Sequence, residues 1–260
     1  MPRTLWTGAS GMSAQQMQVD IIANNIANVN TNGFKKQRVN FQDLFYDVVV
    51  APGTRAGDQG QNPAGIQVGN GVRVSSTPRI FTNGNIEMTG VDTNMAIEGD
   101  GFFRVSLPDG SQAYTRAGDF RIDANGNLVT PDGYYLEPRI TIPENVQQVS
   151  VGPTGTVAVL IGGAQATIGQ LTLTRFRNPT GLVATGRNLY QESQASGPPE
   201  EGNPLDPGFG AVRSGALEKG NVDVVVELVN LIAAQRAYEL NTRTITTADR
   251  MMQTANEIAR

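Results

Sequence analysis

The side chains able to do chemistry in this chain are carboxylates and little else. Its 260 residues contain neither histidine nor cysteine. That removes Ser-His-Asp and Cys-His nucleophile pairs, thiolate and imidazole metal sites, disulfides and the usual proton shuttle at neutral pH. Paired carboxylates survive this test, and Glu87, Glu98, Asp100, Asp119, Asp123 and Glu137 are the candidates. No acid/base motif singles out two of them, and acidic residues on strands and turns are ordinarily solvated. Asp100, Arg104, Arg116 and Asp119 are expected in surface or interface ion pairs. Residues 119–133, DFRIDANGNLVTPDG, match a calcium loop only in part. With Gly126 at the sixth position, Asp123 and Asn125 fall on the third and fifth, but the cation Arg121 takes the first, where a carboxylate is needed, and Asp132 the twelfth, where a bidentate Glu is expected. A hairpin turning at Asn125-Gly126 is the expectation. Gly99 and Gly101 fail the dinucleotide fingerprint, because Arg104 stands where its last glycine belongs. No catalytic residue, cofactor or metal is expected.

The elements that would position any such group are mostly strands. Charged residues are 17% of the chain, with 30 glycines and 14 prolines, a composition of many turns. Phe103, Val105 and Leu107 alternate with Phe102, Arg104 and Ser106; Val157, Val159 and Ile161 alternate with Thr156, Ala158 and Leu160; Leu171 and Leu173 alternate with Thr172 and Thr174. Asn83-Gly84, Asp109-Gly110, Asn125-Gly126 and Asp132-Gly133 are hairpin dipeptides. The net charge of -4 and only three lysines (Lys35, Lys36 and Lys219) offer no basic face to nucleic acid. No run approaches the roughly 20 apolar residues of a membrane helix. The opening MPRTLWTGASGMSAQQ lacks the apolar core of a secretory signal. By the ordinary routes, this predicts a cytoplasmic protein.

Helical periodicity is confined to the two ends. Leu5, Met12, Val19 and Ile26 recur every seven residues, with Ile22 and Val29 in companion positions. Val224, Leu231, Tyr238, Ile245, Met252 and Ala259 repeat at the same interval, with Leu228 beside them. A seven-residue apolar repeat keeps one seam facing a partner helix. The fold class expected is therefore α+β: long terminal helices pairing as a coiled coil around a central, mostly antiparallel β domain. In outline, residues 1–33 form the first helix and 34–72 an extended arm with a polar Gly/Pro loop, flexible or ordered by a partner. Residues 73–195 form the β domain, 196–220 a return linker, and 221–260 the second helix, capped by Asn221 or Asp223. The cluster Gly8, Ser10 and Gly11 is expected to weaken the first turns. A second stripe runs through Val222, Val226, Val229, Ala233, Ala237, Leu240, Met251 and Ile258, with a weaker one through Ala14, Met17 and Ile21. Two stripes imply neighbours on two sides: other subunits, or the chain's own sheet.

The stretch ANNIANVNTNGFKK (23–36), the stretch NVDVVVELVNLIAAQRAYELN (221–241), and between them GDGFFRV and YTRAGDFRIDANGNLVTPDGYYLEP resemble, in order, the signatures of the bacterial flagellar rod and hook axial proteins. The resemblance covers essentially the whole chain. Its length is that of the distal-rod type, and residues 46–72 resemble the insertion associated there with a straight, rigid tube. One departure is Gly220, where the family often has Ser before the Asn-Val that opens the last helix.

The resemblance implies a non-enzymatic subunit that self-assembles into a helical tube, terminal helices inside around an export channel and β domain outside, transmitting motor torque to the hook. The partners implied are further copies of the chain, proximal rod proteins, hook protein, the P- and L-ring bushing proteins and the flagellar type III export apparatus. It also replaces the cytoplasmic expectation with the basal body, in a rod spanning the periplasm, reached without a cleaved signal peptide. Leu5, Met12, Val19, Ile22, Ile26, Val224, Leu228, Leu231, Tyr238, Ile245 and Met252 are expected to pack the helices. Asn24, Asn25, Asn28, Gln235 and Arg236 are candidates for polar contacts that fix register. Alternatives are a proximal rod or short hook subunit, or more remotely a cell-wall-cleaving enzyme.

Overall fold

The computed structural model describes residues 3–53 and 63–258. The heptad position Ala259 and the centre of the Gly/Pro loop, residues 54–62, lie outside them. The chain divides into two compact units: one of Met1–Ile26, Gln37–Pro78 and Asp223–Arg260, the other of Ala27–Lys36 and Arg79–Val222.

The second unit is the antiparallel β domain. Its largest sheet has seven strands in the order Val183–Gly186, Leu189–Gln191, Gln112–Thr115, Phe103–Ser106, Tyr135–Glu137, Leu128–Val129, Arg121–Ile122. A three-stranded sheet of Gln148–Val151, Thr156–Ile161 and Ala164–Gln170 completes the main core. Phe103, Val105, Val157, Val159, Leu171 and Leu173 point into that core, as their alternation predicts. Phe102, on the opposite row, is buried too, because Phe81, Phe176 and Tyr190 pack edge-to-face around it and Tyr114 packs in turn on Phe176. Asp109-Gly110, Asn125-Gly126 and Asp132-Gly133 turn hairpins, each glycine at a φ of 80–88° that a side chain resists.

Two expectations need correction here. The 196–220 stretch is not a linker: it contributes the strands Glu200–Gly202, Ala211–Ser214 and Ala216–Glu218. Val212 sits opposite Ile97, and Ala216 opposite Met88, with Val212, Ala216 and Leu217 buried; the prolines and glycines punctuate turns between short core strands. Asn83-Gly84 is no hairpin turn. A Cβ at Gly84 would lie 1.9 Å from the Lys219 carbonyl oxygen, so glycine serves close backbone approach there.

The first unit holds α1 (Arg3–Ala27) and α2 (Val224–Ile258). Its arm is an antiparallel ribbon in two stages, Asn40–Asp43 with Val72–Ser76 and Tyr46–Val50 with Ile66–Gly69. Asp223 caps α2, its Oδ1 accepting from the N–H groups of Val225 and Val226 at 3.0 and 3.2 Å. Asn221 is not the cap. In the β unit it accepts from the Lys36 N–H at 2.8 Å and donates to the carbonyls of Ile80 and Thr82.

Candidate assembly surface and a buried charge cluster

The two helices run antiparallel, since Gly8 lies against Ile245, Gly11 against Asn241 and Asn25 near Glu227. Small residues set how closely they approach. A Cβ at Gly8 would come within 2.7 Å of Ile245 Cγ1, and one at Gly11 within 2.9 Å of Asn241 Nδ2. Ala14 and Ala234 are buried with Ile22. The glycines expected only to weaken α1 therefore have a packing role.

Of the side chains expected to pack the seam, Ile22 is buried and Leu5, Met12, Val19, Ile26, Leu231, Ile245 and Met252 are half-buried. Val224, Leu228 and Tyr238 are exposed. The large residues flank the seam, while its most buried positions are Gly8, Ala14, Ile22 and Asn25 on α1 and Glu227 and Ala234 on α2. Apolar periodicity weights residues by size, so it left Gly8 and Ala234 out and put Ala14 on a second stripe instead of in the seam.

Among the polar candidates, Asn25 is buried and bridges chain segments. Its amide donates to the Gln37 carbonyl at 2.9 Å and to Glu227 Oε2 at 3.5 Å, and its oxygen accepts from the Gln37 N–H at 3.0 Å. Asn28 accepts from the Thr31 hydroxyl in the turn after α1. Asn24 and Gln235 are exposed, and Arg236 pairs with Glu239 one turn along its own helix at 3.0 Å.

The second stripe of α2 remains exposed: Val226, Val229, Leu240, Met251 and Ile258, joined by Val225 and Ile232. Leu240 is 62% and Met251 66% accessible, and both line an open apolar groove with Thr4, Thr244, Ala248 and Met252. The arm adds Phe41, Phe45, Tyr46, Val48, Val49, Ile66 and Val68, with Phe45 93% accessible. Contiguous apolar exposure on this scale marks an interaction surface.

The β unit contains a feature that reading the sequence missed. Lys35 and Glu218, both fully buried, meet at 2.6 Å. Glu218 also accepts from Arg116 Nε at 3.0 Å and from the Gly84 N–H at 2.7 Å. Lys35 donates as well to the Thr82 carbonyl at 2.7 Å. The remaining Arg116 nitrogens donate to the carbonyls of Gly99 and Gly101 and to Asn83 Oδ1. Arg116, expected in a surface or interface pair, is thus buried and hydrogen-bonded through all three of its side-chain nitrogens. Burial, and then the Arg116 charge, pull Lys35 down to about 8 against the attraction of Glu218. Burial alone would raise Glu218, but Arg116 and Lys35 together hold its carboxyl below the ordinary range. The available signal was a charged residue directly following Ala216-Leu217 in an apolar strand; its partner could not be named from spacing.

Four of the six candidate catalytic carboxylates are engaged elsewhere. Glu87 pairs with Lys219 at 3.5 Å, Glu98 with Arg213 at 3.3 Å and Glu137 with Arg104 at 3.7 Å, while Arg104 also pairs with Glu201. Asp123 accepts from the N–H groups of Asn125 and Asn127, which organises its own turn. Asp119 bridges Asn94 through its backbone, and the Asp100 carbonyl accepts from the Gly210 N–H.

Comparison with known proteins matches each part of this architecture. Residues 5–35 match the flagella basal body rod protein family, 96–159 the D1 domain of the flagellar hook proteins FlgE/F/G, and 213–258 the C-terminal region of the flagellar basal body rod FlgEFG proteins. The flagellar basal-body rod protein FlgG of Borreliella burgdorferi is 47% identical, with all of both chains covered. That of Buchnera aphidicola from Acyrthosiphon pisum is 45% identical over 98% of this chain and 99% of its own. The flagellar hook protein FlgE of Helicobacter mustelae is 47% identical over 53% of this chain but only 30% of its own length. Full-length agreement with the rod proteins, across both helices and the β domain, places the chain in the FlgG family of flagellar basal-body rod proteins.

Proposed function

We propose that the chain polymerises into the rigid tube of the distal rod, with the α1–α2 pair as its packing element. It is a structural subunit of the flagellar basal body, not an enzyme. The observation that carries the assembly reading is the exposed apolar stripe of α2, a surface costly to leave in water and suited to burial against further copies. In a tube, such burial would supply the stiffness needed to pass torque to the hook. The partners on this reading are proximal rod proteins below, hook protein above, and the P- and L-ring proteins around a rod that spans the periplasm. Subunits would reach it through the type III export apparatus with their N-terminus uncleaved. The exposed apolar arm residues support a role for residues 46–72 in stiffening contacts between neighbours.

The test is a Leu240→Asp, Met251→Asp double variant in a strain lacking the native chain. Export should continue while no rod extends and motility is lost. Normal motility would overturn the assignment of this stripe to assembly.

A further inference from the structure

The polar contacts of residues 33–36 converge on two other segments of the β unit. The Gly33 N–H donates to the Glu218 carbonyl at 2.7 Å, the Lys36 N–H to Asn221 Oδ1, and the Ile80 N–H to the Lys36 carbonyl at 2.9 Å. The Lys219 N–H donates to the Asn85 carbonyl at 2.8 Å. At the centre, Glu218 is the only carboxylate in contact with either Lys35 or Arg116 among the described residues. Without it, two cations would be enclosed together with no carboxylate in contact; without them, a carboxylate would be enclosed with no cation in contact. Either state is strongly unfavourable in a site closed to water.

We propose that Lys35, Glu218 and Arg116 form a mutual latch, so that residues 33–36 and 216–219 dock on the β unit together or not at all. These segments follow α1 and precede α2 in the chain. Residues 33–36 are therefore fixed only once residue 218 has arrived, 183 positions after Lys35. An incomplete chain keeps its N-terminal segment undocked, so the cluster acts as a check on chain completeness. This stands apart from the rod assignment and would hold for the subunit in isolation.

Amide hydrogen exchange on the full chain tests it, comparing wild type, Glu218→Gln and Lys35→Met. In Glu218→Gln, the amides of Gly33, Ile80 and Lys219 should all exchange faster, on the order of 100-fold, and by a larger factor than those of Val105 and Val159. Lys35→Met leaves the Glu218–Arg116 pair in place, so it keeps the test open if the first variant does not fold. It should accelerate the same three amides together by a smaller factor. The latch is overturned if Lys219 opens while Gly33 stays protected, if nothing changes, or if exchange rises uniformly through the unit.

Discussion

The ammonium of Lys35 and the carboxylate of Glu218 meet at 2.6 Å in a site closed to solvent, although they lie 183 positions apart in the chain. Arg116 completes the cluster on the other carboxylate oxygen at 3.0 Å. The arrangement is unsymmetrical: Glu218 serves two cations, whereas each cation has one carboxylate and further carbonyl acceptors.

That asymmetry orders the expected stability losses. Glu218→Gln strands two buried cations and is expected to cost about 3–5 kcal/mol. Lys35→Met leaves Glu218 paired with Arg116 and should cost less, roughly 1–3 kcal/mol, from the lost lysine hydrogen bonds to Glu218 and the Thr82 carbonyl. Urea unfolding of the two variants checks the order; a costlier Lys35→Met would show that the lysine, not the carboxylate, is the centre of the cluster.

The same cluster makes stability rise with pH at both of its ends, for opposite electrostatic reasons. Glu218 is held below its ordinary 4.5, so its stabilisation is complete above that value and is lost as pH falls through the lower, folded value. Lys35 is depressed from 10.5 to about 8. Between those values the unfolded chain holds more protons, so this contribution to stability rises with pH. Arg79, Tyr190 and Asp100 also face the cluster. Their shared background cancels when wild type is compared with each variant. The advantage of wild type over Glu218→Gln should shrink below pH 4.5, and Lys35→Met should lack the rise between 8 and 10.5.

Gly84 closes the cluster from the backbone side. Gly84→Ala would drive a methyl into the Lys219 carbonyl and displace the N–H that Glu218 accepts, at about 1–3 kcal/mol or more. Gly152, whose nearest neighbour would be 3.6 Å from an added Cβ, is the control: Gly152→Ala should stay within about 0.5 kcal/mol of wild type. Thermal unfolding of the two substitutions decides between a spatial and a merely conformational role for Gly84.

Much of this was legible in the sequence, and what was not shares a physical cause. The terminal helices, the antiparallel domain and the turns at Asp109-Gly110, Asn125-Gly126 and Asp132-Gly133 follow from local periodicity and local backbone chemistry. Asn83-Gly84 has the same local chemistry, but its geometry is set by Lys219, which is distant in the chain. Ala234 was passed over, Gly8 taken only as a weak helix former and Ala14 assigned to a second stripe, because a small side chain at a close helix contact carries almost no hydrophobic signal. Nothing local marks Lys35 and Glu218 as partners; only the fold supplies the enclosure that pairs them. Val224, Leu228 and Tyr238 were placed in the seam by a size-weighted repeat and lie exposed in the subunit.

The central claim is that the exposed stripe of α2 is covered by other copies in the rod. The chain has no cysteine, so a Leu240→Cys variant reports on that position alone. Thiol labelling should be fast in the dilute subunit, where Leu240 is exposed, and strongly slowed in assembled rods, while a Val183→Cys control on the β unit labels readily as a subunit. Equal labelling of the Leu240 position in subunit and rod would contradict the account.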